Sequence, residues 1–205
     1  MAAGTGCGLS SVPEERFPSQ FAALLRDLVA WLDDVRVAGV VIGGLAAGIL
    51  GRPRVTRDVD LLVTLEPGRW PELLARGGRF GFLPRVPDPL DFAERNRVLL
   101  LRHEPTLVDL DISLGGLAFE EEAVARAVRV EVEGVSVPLV SPEDLLVMKA
   151  VAHRPRDLAD IEGVLARNPG LDLERAQIWI REFSAALGRP EIFEDFQAIV
   201  RNARS

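Results

Sequence analysis

Lysine is nearly missing from this chain. One residue, Lys149, is the only lysine; every other strongly basic side chain is arginine. The two cations differ in hydration and geometry, so a solitary lysine among arginines stands out. Cysteine is as scarce. Cys7 is the sole example, which excludes an internal disulfide and any cysteine-cluster metal site. Long apolar runs are absent too. The greasiest segment, residues 39–50, is short of a membrane span and is broken by glycine, so no membrane partner is expected. Residues 1–11 lack the basic and apolar regions of a secretory signal and read as a frayed tail, with the cytoplasm as the expected compartment. Positive charge is not in excess either. A formal net charge of −7 argues against a protein coated for non-specific nucleic-acid binding, while leaving room for a local basic groove. The arginines do cluster, with Arg52, Arg54 and Arg57 in one turn and Arg154 and Arg156 in another. There is no internal repeat and no low-complexity linker.

A hydrophobic fraction of 48% in 205 residues supports a sizeable core in one compact domain with an appendage, or in two small lobes. Apolar residues at helical spacing predict a helix over 19–34, with Ser19 as its cap. The continuous apolar run 37–42 predicts a strand covered on both faces. Gly43 and Gly44 end it, and 45–50 then fits two helical turns stopped by Gly51. A second strand is expected over 59–65 and a helix over 67–76. The proline-rich stretch 80–90 reads as loop. Two hairpins follow, 97–102 with 107–113 and 128–132 with 135–140, separated by a short helix at 120–127. Ser141-Pro142-Glu143-Asp144 is a strong helix start. Helices are expected from there onward, to about 152, from about 157 to 167, over 173–187 and over 191–202. Strands before Ser141 and helices after it predict an α/β (α+β) core at 1–140 and a helical C-terminal lobe at 141–205.

The chemistry concentrates between the first two strands. Asp58 and Asp60 are two residues apart, so on a strand both carboxylates leave from one face. Carboxylates repel at that spacing, and a divalent cation is the usual partner. Arg54 and Arg57 could instead pair with them as an ordinary solvated strand start. The upstream Gly43 and Gly44 favour the cation. They open a helix whose free N–H groups and positive dipole end suit a phosphate. Asp109 and Asp111 repeat the pattern on a later strand. A two-metal site for phosphoryl transfer needs carboxylates from adjacent strands bridging cations roughly 3.5–4 Å apart. Asp58, Asp60 and Asp109 would supply them, with the third acid able to act as base on an incoming hydroxyl. Asp111 could replace or assist Asp109, and spacing does not choose. Lys149 is either a surface lysine or a point charge for a triphosphate. Asp157 and Asp160 can cap and charge the next helix. His153, in a turn, reads as structural or exposed rather than catalytic.

These residues resemble a known family. Gly43-Gly44, the run Gly51-Arg52-Pro53-Arg54-Val55-Thr56-Arg57-Asp58-Val59-Asp60-Leu61, and Val108-Asp109 are similar to the nucleotidyltransferase superfamily of the polymerase-beta type. The run from Ser141 through Lys149 and Arg154 to Asp160 looks like the subgroup around the AbiEii-type toxins of bacterial toxin–antitoxin systems. The resemblance implies a mixed β-sheet core, a helical lobe across a cleft, and magnesium-dependent (or manganese-dependent) transfer of a nucleoside monophosphate from a triphosphate to a hydroxyl. It implies that Gly43 and Gly44 hold phosphates, that Arg54, Thr56 and Arg57 lie on the nucleotide loop, that Asp58 and Asp60 bind metal, that Asp109 is the third carboxylate, and that Lys149 and Asp160 are the subgroup's downstream pair. Leu45 departs from the family's small polar residue after the glycines, leaving backbone N–H groups to touch phosphate alone. The implied acceptor is a tRNA 3′ end, with an antitoxin protein as partner, or a hydroxyl of an aminoglycoside or lincosamide. An inactive nucleotide-binding partner protein is the third possibility.

Overall fold

The computed structural model describes residues 19–203. The tail at 1–11 and Cys7 lie outside the described residues, as does the capping side chain of Ser19. The chain opens with α1 (Ser19–Val35), β1 (Gly39–Ile42), α2 (Gly43–Leu50) and β2 (Asp58–Thr64). A 3-10 turn leads into α3 (Trp70–Gly77), then come β3 (Phe82–Pro84) and α4 (Pro89–Asn96). Next are the hairpin β4 (Val98–His103) and β5 (Val108–Gly115), α5 (Ala118–Ala125), and the hairpin β6 (Val128–Val132) and β7 (Val135–Leu139). Four helices close it: α6 (Pro142–Ala152), α7 (Pro155–Arg167), α8 (Glu174–Leu187) and α9 (Glu191–Ala203). Among the described residues no helix is long and apolar enough to cross a membrane.

The strands form one sheet in the order β3-β4-β5-β2-β1-β7-β6. β2 pairs with β5 and β1 with β7 in parallel; the other neighbours are antiparallel. The sheet is therefore mixed, and the α/β class is that expected. Alternation divides each central strand. Val59, Leu61 and Val63 of β2 and Val108, Leu110, Ile112 and Leu114 of β5 are buried. The acids lie on the opposite face. α1 supplies much of the core through Leu24, Leu25, Leu28 and Trp31. Trp31 stacks on Phe82 and its indole N–H donates to the Leu73 carbonyl at 3.2 Å. The Ser141 cap forms as expected, its hydroxyl accepting from the Asp144 N–H at 3.1 Å.

Two short elements occupy the stretch where a loop was expected. β3 survives a proline because it is an edge strand, where a missing N–H costs no ladder bond. α4 begins at Pro89, whose fixed φ suits a first helical position. α2 also starts earlier than its apolar spacing suggests, at Gly43 itself.

Candidate active site

Strand register brings the four acids together. Across the parallel β2–β5 pair, Asp58 sits beside Asp109 and Asp60 beside Asp111. Side chains alternate along both strands, so all four carboxylates leave one face of the sheet. They crowd the end of the sheet where β1 hands over to α2.

That handover explains the glycines. Gly43 has φ +67°, a left-handed conformation, and a Cβ there would lie 1.8 Å from Asp60 Oδ2. Only glycine lets the Asp60 carboxylate occupy this place. The Gly44 N–H donates to the same oxygen at 3.4 Å. A Cβ on Gly44 would strike the Arg54 guanidinium at 2.5 Å. Arg54 thus lies over the first turn of α2. Its Nε is 3.2 Å from Asp160 Oδ1, tying the loop before β2 to α7. The Thr56 hydroxyl donates to Asp58 Oδ1 at 3.0 Å. Arg57 is exposed and makes no ion pair among the described residues.

The carboxylates do not share one electrostatic state. Burial raises the Asp60 carboxyl above its ordinary value, and the neighbouring Asp58 and Asp111 charges raise it further against the Gly44 N–H and Lys149. Burial also raises Asp111, opposed by Arg85 and helped by Asp58 and Asp109. Neither Asp58 nor Asp60 is ion-paired among the described residues, whereas both β5 acids are. Arg102 Nε donates to Asp109 Oδ1 at 2.8 Å, Arg85 Nη1 stands 3.4 Å from Asp109 Oδ2, and Arg85 Nη2 donates to Asp111 Oδ1.

A tight ready-made cage is not formed: among the described residues no three His, Cys, Asp or Glu side chains stand close enough to enclose a metal ion. The donor chemistry nonetheless fits a hard divalent cation. Asp58 and Asp60 offer only oxygen, repel one another, and have no cation in direct ion-pair contact among the described residues.

Lys149 is neither a surface lysine nor an unmatched point charge. It is 4% exposed, and its Nζ lies 3.0 Å from Asp157 Oδ1 and 2.7 Å from Asp160 Oδ2. Arg154 also holds Asp157. Burial would raise Asp157, but the Arg154 and Lys149 hydrogen bonds overcome it and keep its carboxyl below the usual range. A chain of charges thus runs from Arg54 through Asp160, Lys149 and Asp157 to Arg154.

Sequence reasoning missed Arg85 and Arg102. Arg102 was reachable: a hairpin pairing His103 with Val108 puts Arg102 opposite Asp109. Arg85 sits in the stretch read as loop and carries no local signal.

With this geometry in hand, the comparisons with known proteins decide the family. Residues 20–187 match a family described as a nucleotidyltransferase of unknown function (DUF6036). The chain belongs to it. The fold agrees with solved nucleotidyltransferases at low identity. A solution structure of the antibiotic-resistance factor ANT(2'')-Ia is similar at 18% identity and a TM-score of 0.57, over 85% of this chain and 97% of that one. ANT(2'')-Ia in complex with adenylyl-2''-tobramycin gives 21% and 0.54, over 83% of this chain and 99% of that one. An antigenic nucleotidyltransferase-like protein from Paracoccidioides brasiliensis gives 16% and 0.53, over 88% and 93%. No curated protein matches the sequence.

Proposed function

We propose that this nucleotidyltransferase moves a nucleoside monophosphate from a nucleoside triphosphate to an acceptor hydroxyl in a reaction dependent on magnesium or manganese. The observation that carries the reading is the register of the two acid pairs beside the glycine turn. The donor phosphates lie against the N-terminal turn of α2, where the Gly43 and Gly44 backbone and the Arg54 guanidinium face them. Thr56 and Arg57 complete that loop. Asp58 and Asp60 hold the divalent cation, which when bound neutralises the phosphates and the developing negative charge. A carboxylate of β5 completes the acid set and accepts the hydroxyl proton. Lys149 and Asp160 act less on phosphate than on architecture, fastening the helical lobe of 141–205 to the nucleotide loop of the 1–140 core.

The acceptor we favour is a small hydroxylated molecule. The likeness to ANT(2'')-Ia spans nearly all of that chain, and the complex holds an adenylylated aminoglycoside. One observation keeps an RNA acceptor, such as a tRNA 3′ end, as the second reading, together with a toxin role and an antitoxin partner. Arg57 next to Asp58, and Arg52 and Arg156 in the two arginine turns, are exposed and make no ion pair among the described residues. They could follow a phosphate backbone.

The test is incubation with each α-labelled triphosphate and Mg2+, with total tRNA in one set and aminoglycosides and lincosamides in another. Label on a small molecule supports the first acceptor and label on RNA the second. No transfer from any triphosphate to any acceptor sinks the proposal.

A further inference from the structure

Arg85 leaves the chain just past edge strand β3, yet its guanidinium is firmly anchored. Its backbone N–H donates to the Leu100 carbonyl at 2.9 Å, and its Nε donates to the Leu101 carbonyl at 2.9 Å. Both bonds run to β4, which pairs with β5. The guanidinium plane is therefore fixed relative to the β5 acids. Its two terminal nitrogens then divide between Asp109 and Asp111.

The two acids are treated differently. Asp109 has both oxygens engaged, Oδ1 by Arg102 and Oδ2 by Arg85. Asp111 has one oxygen, Oδ1, on Arg85, and no guanidinium takes the other among the described residues. Register also separates them: Asp111 stands beside Asp60, the deeper acid of β2, and Asp109 beside the exposed Asp58. A carboxylate whose two oxygens are both engaged is a poor cation ligand. One held by a single oxygen is oriented and still has a donor to give.

We propose that Arg85 is a positioning residue that sorts these acids, taking Asp109 as its anchor and presenting Asp111, through its remaining oxygen, as the third carboxylate of the site. This inference rests on the reading in which Asp58 and Asp60 bind a divalent cation. It reverses the assignment that the resemblance implies for Asp109. Lysine could not replace Arg85, because one ammonium cannot hold a β4 carbonyl and two separate carboxylates in a fixed plane.

The test is Mn2+ binding, read from the free-ion electron paramagnetic resonance signal with α,β-methylene-ATP present. Asp60→Asn and Asp111→Asn are expected to weaken Mn2+ at least about tenfold, and Asp109→Asn clearly less than either. Arg85→Gln should weaken Mn2+ by roughly three- to tenfold, since Asp111 is no longer held in place for the cation. In the double variant Arg85→Gln/Asp111→Asn no loss beyond that of Asp111→Asn is expected, because the arginine acts through that acid. A brace for β3 and β4 alone would shift Tm in Arg85→Gln and leave Mn2+ affinity uncoupled from Asp111. Arg85→Lys, which keeps the charge but not the plane, should also weaken Mn2+ and serves if Arg85→Gln does not fold. Additive effects of Arg85→Gln and Asp111→Asn, or a loss in Asp109→Asn as large as in Asp60→Asn, overturn the proposal. A wild-type protein that binds no Mn2+, or an Asp60→Asn variant that binds it normally, overturns the metal reading beneath it as well.

Discussion

The carboxylate of Asp60 fills the space that a side chain on Gly43 would need. The overlap is severe, with Oδ2 1.8 Å from the position of a Cβ. Turn and acid are thus one unit, and a change in either is felt by both. Gly43→Ala should displace Asp60 and strain the backbone, costing about 1–3 kcal/mol for the unfavourable φ. Transfer activity is expected to fall at least about 100-fold, as a small misplacement of reacting groups permits. Urea unfolding and a transferase assay on the same preparation check both halves.

Asp60→Asn should abolish transfer and leave the fold intact. It should also stabilise the protein at neutral pH. Asp60 and Asp111 have carboxyls raised above the ordinary 3.8. A group raised in the folded state adds stability below its unfolded value, and that stability is lost as pH climbs through the raised value. Wild-type stability is therefore expected to fall as pH rises from the ordinary carboxylate value through the raised ones. Asp60→Asn should flatten this slope and raise Tm at pH 7. A Tm unchanged at pH 7, or full activity in the variant, counts against the assigned role.

Lys149→Met removes the buried ammonium that two acids share, leaving the fully buried Asp157 to Arg154 and Asp160 to Arg54. With an arginine left on each acid, the loss is expected to fall below the roughly 3–5 kcal/mol of a fully unpaired buried charge. The double variant Lys149→Met/Asp157→Asn should recover part of that loss, because one buried charge fewer rests on an arginine alone. Equilibrium unfolding of the three proteins measures it. If Lys149 served phosphate alone, Lys149→Met would raise KM for the triphosphate with little change in stability.

Chelation with EDTA should remove transfer, and Mg2+ or Mn2+ should restore it. Magnesium with α,β-methylene-ATP at 100 times its Kd should stabilise the native state by about 2.7 kcal/mol. The double variant Asp58→Asn/Asp60→Asn should show no such shift in a thermal melt.

The glycine turn and the first acid pair of the candidate site were legible in the sequence. The glycine pair, the strand before it and the Asp58–Asp60 spacing are local signals, each set by turn chemistry or strand alternation. The β5 acids were legible as a pair, but their roles depend on which guanidinia reach them. Arg85 reaches across from a stretch whose three prolines suggest loop. Arg102 is visible only once the hairpin register is fixed. Asp157 and Asp160 read naturally as residues near a helix start; that they close on Lys149 depends on the turn at His153, where the chain takes φ +53°. Local pattern names the residues, and tertiary contact assigns their charges.

The parallel pairing of β2 with β5 also sets an order of events during synthesis. Gly43, Gly44, Asp58 and Asp60 lie within a strand–helix–strand segment whose contacts are short in sequence, and such contacts form early. Position 109 must travel back past β4 to reach position 58. A growing chain that has emerged only as far as β4 already holds its glycine turn and the β1–β2 pair, yet β2 still lacks β5 on its other edge. Chemistry must wait for the second hairpin strand, so an incomplete chain holds at most half of the site.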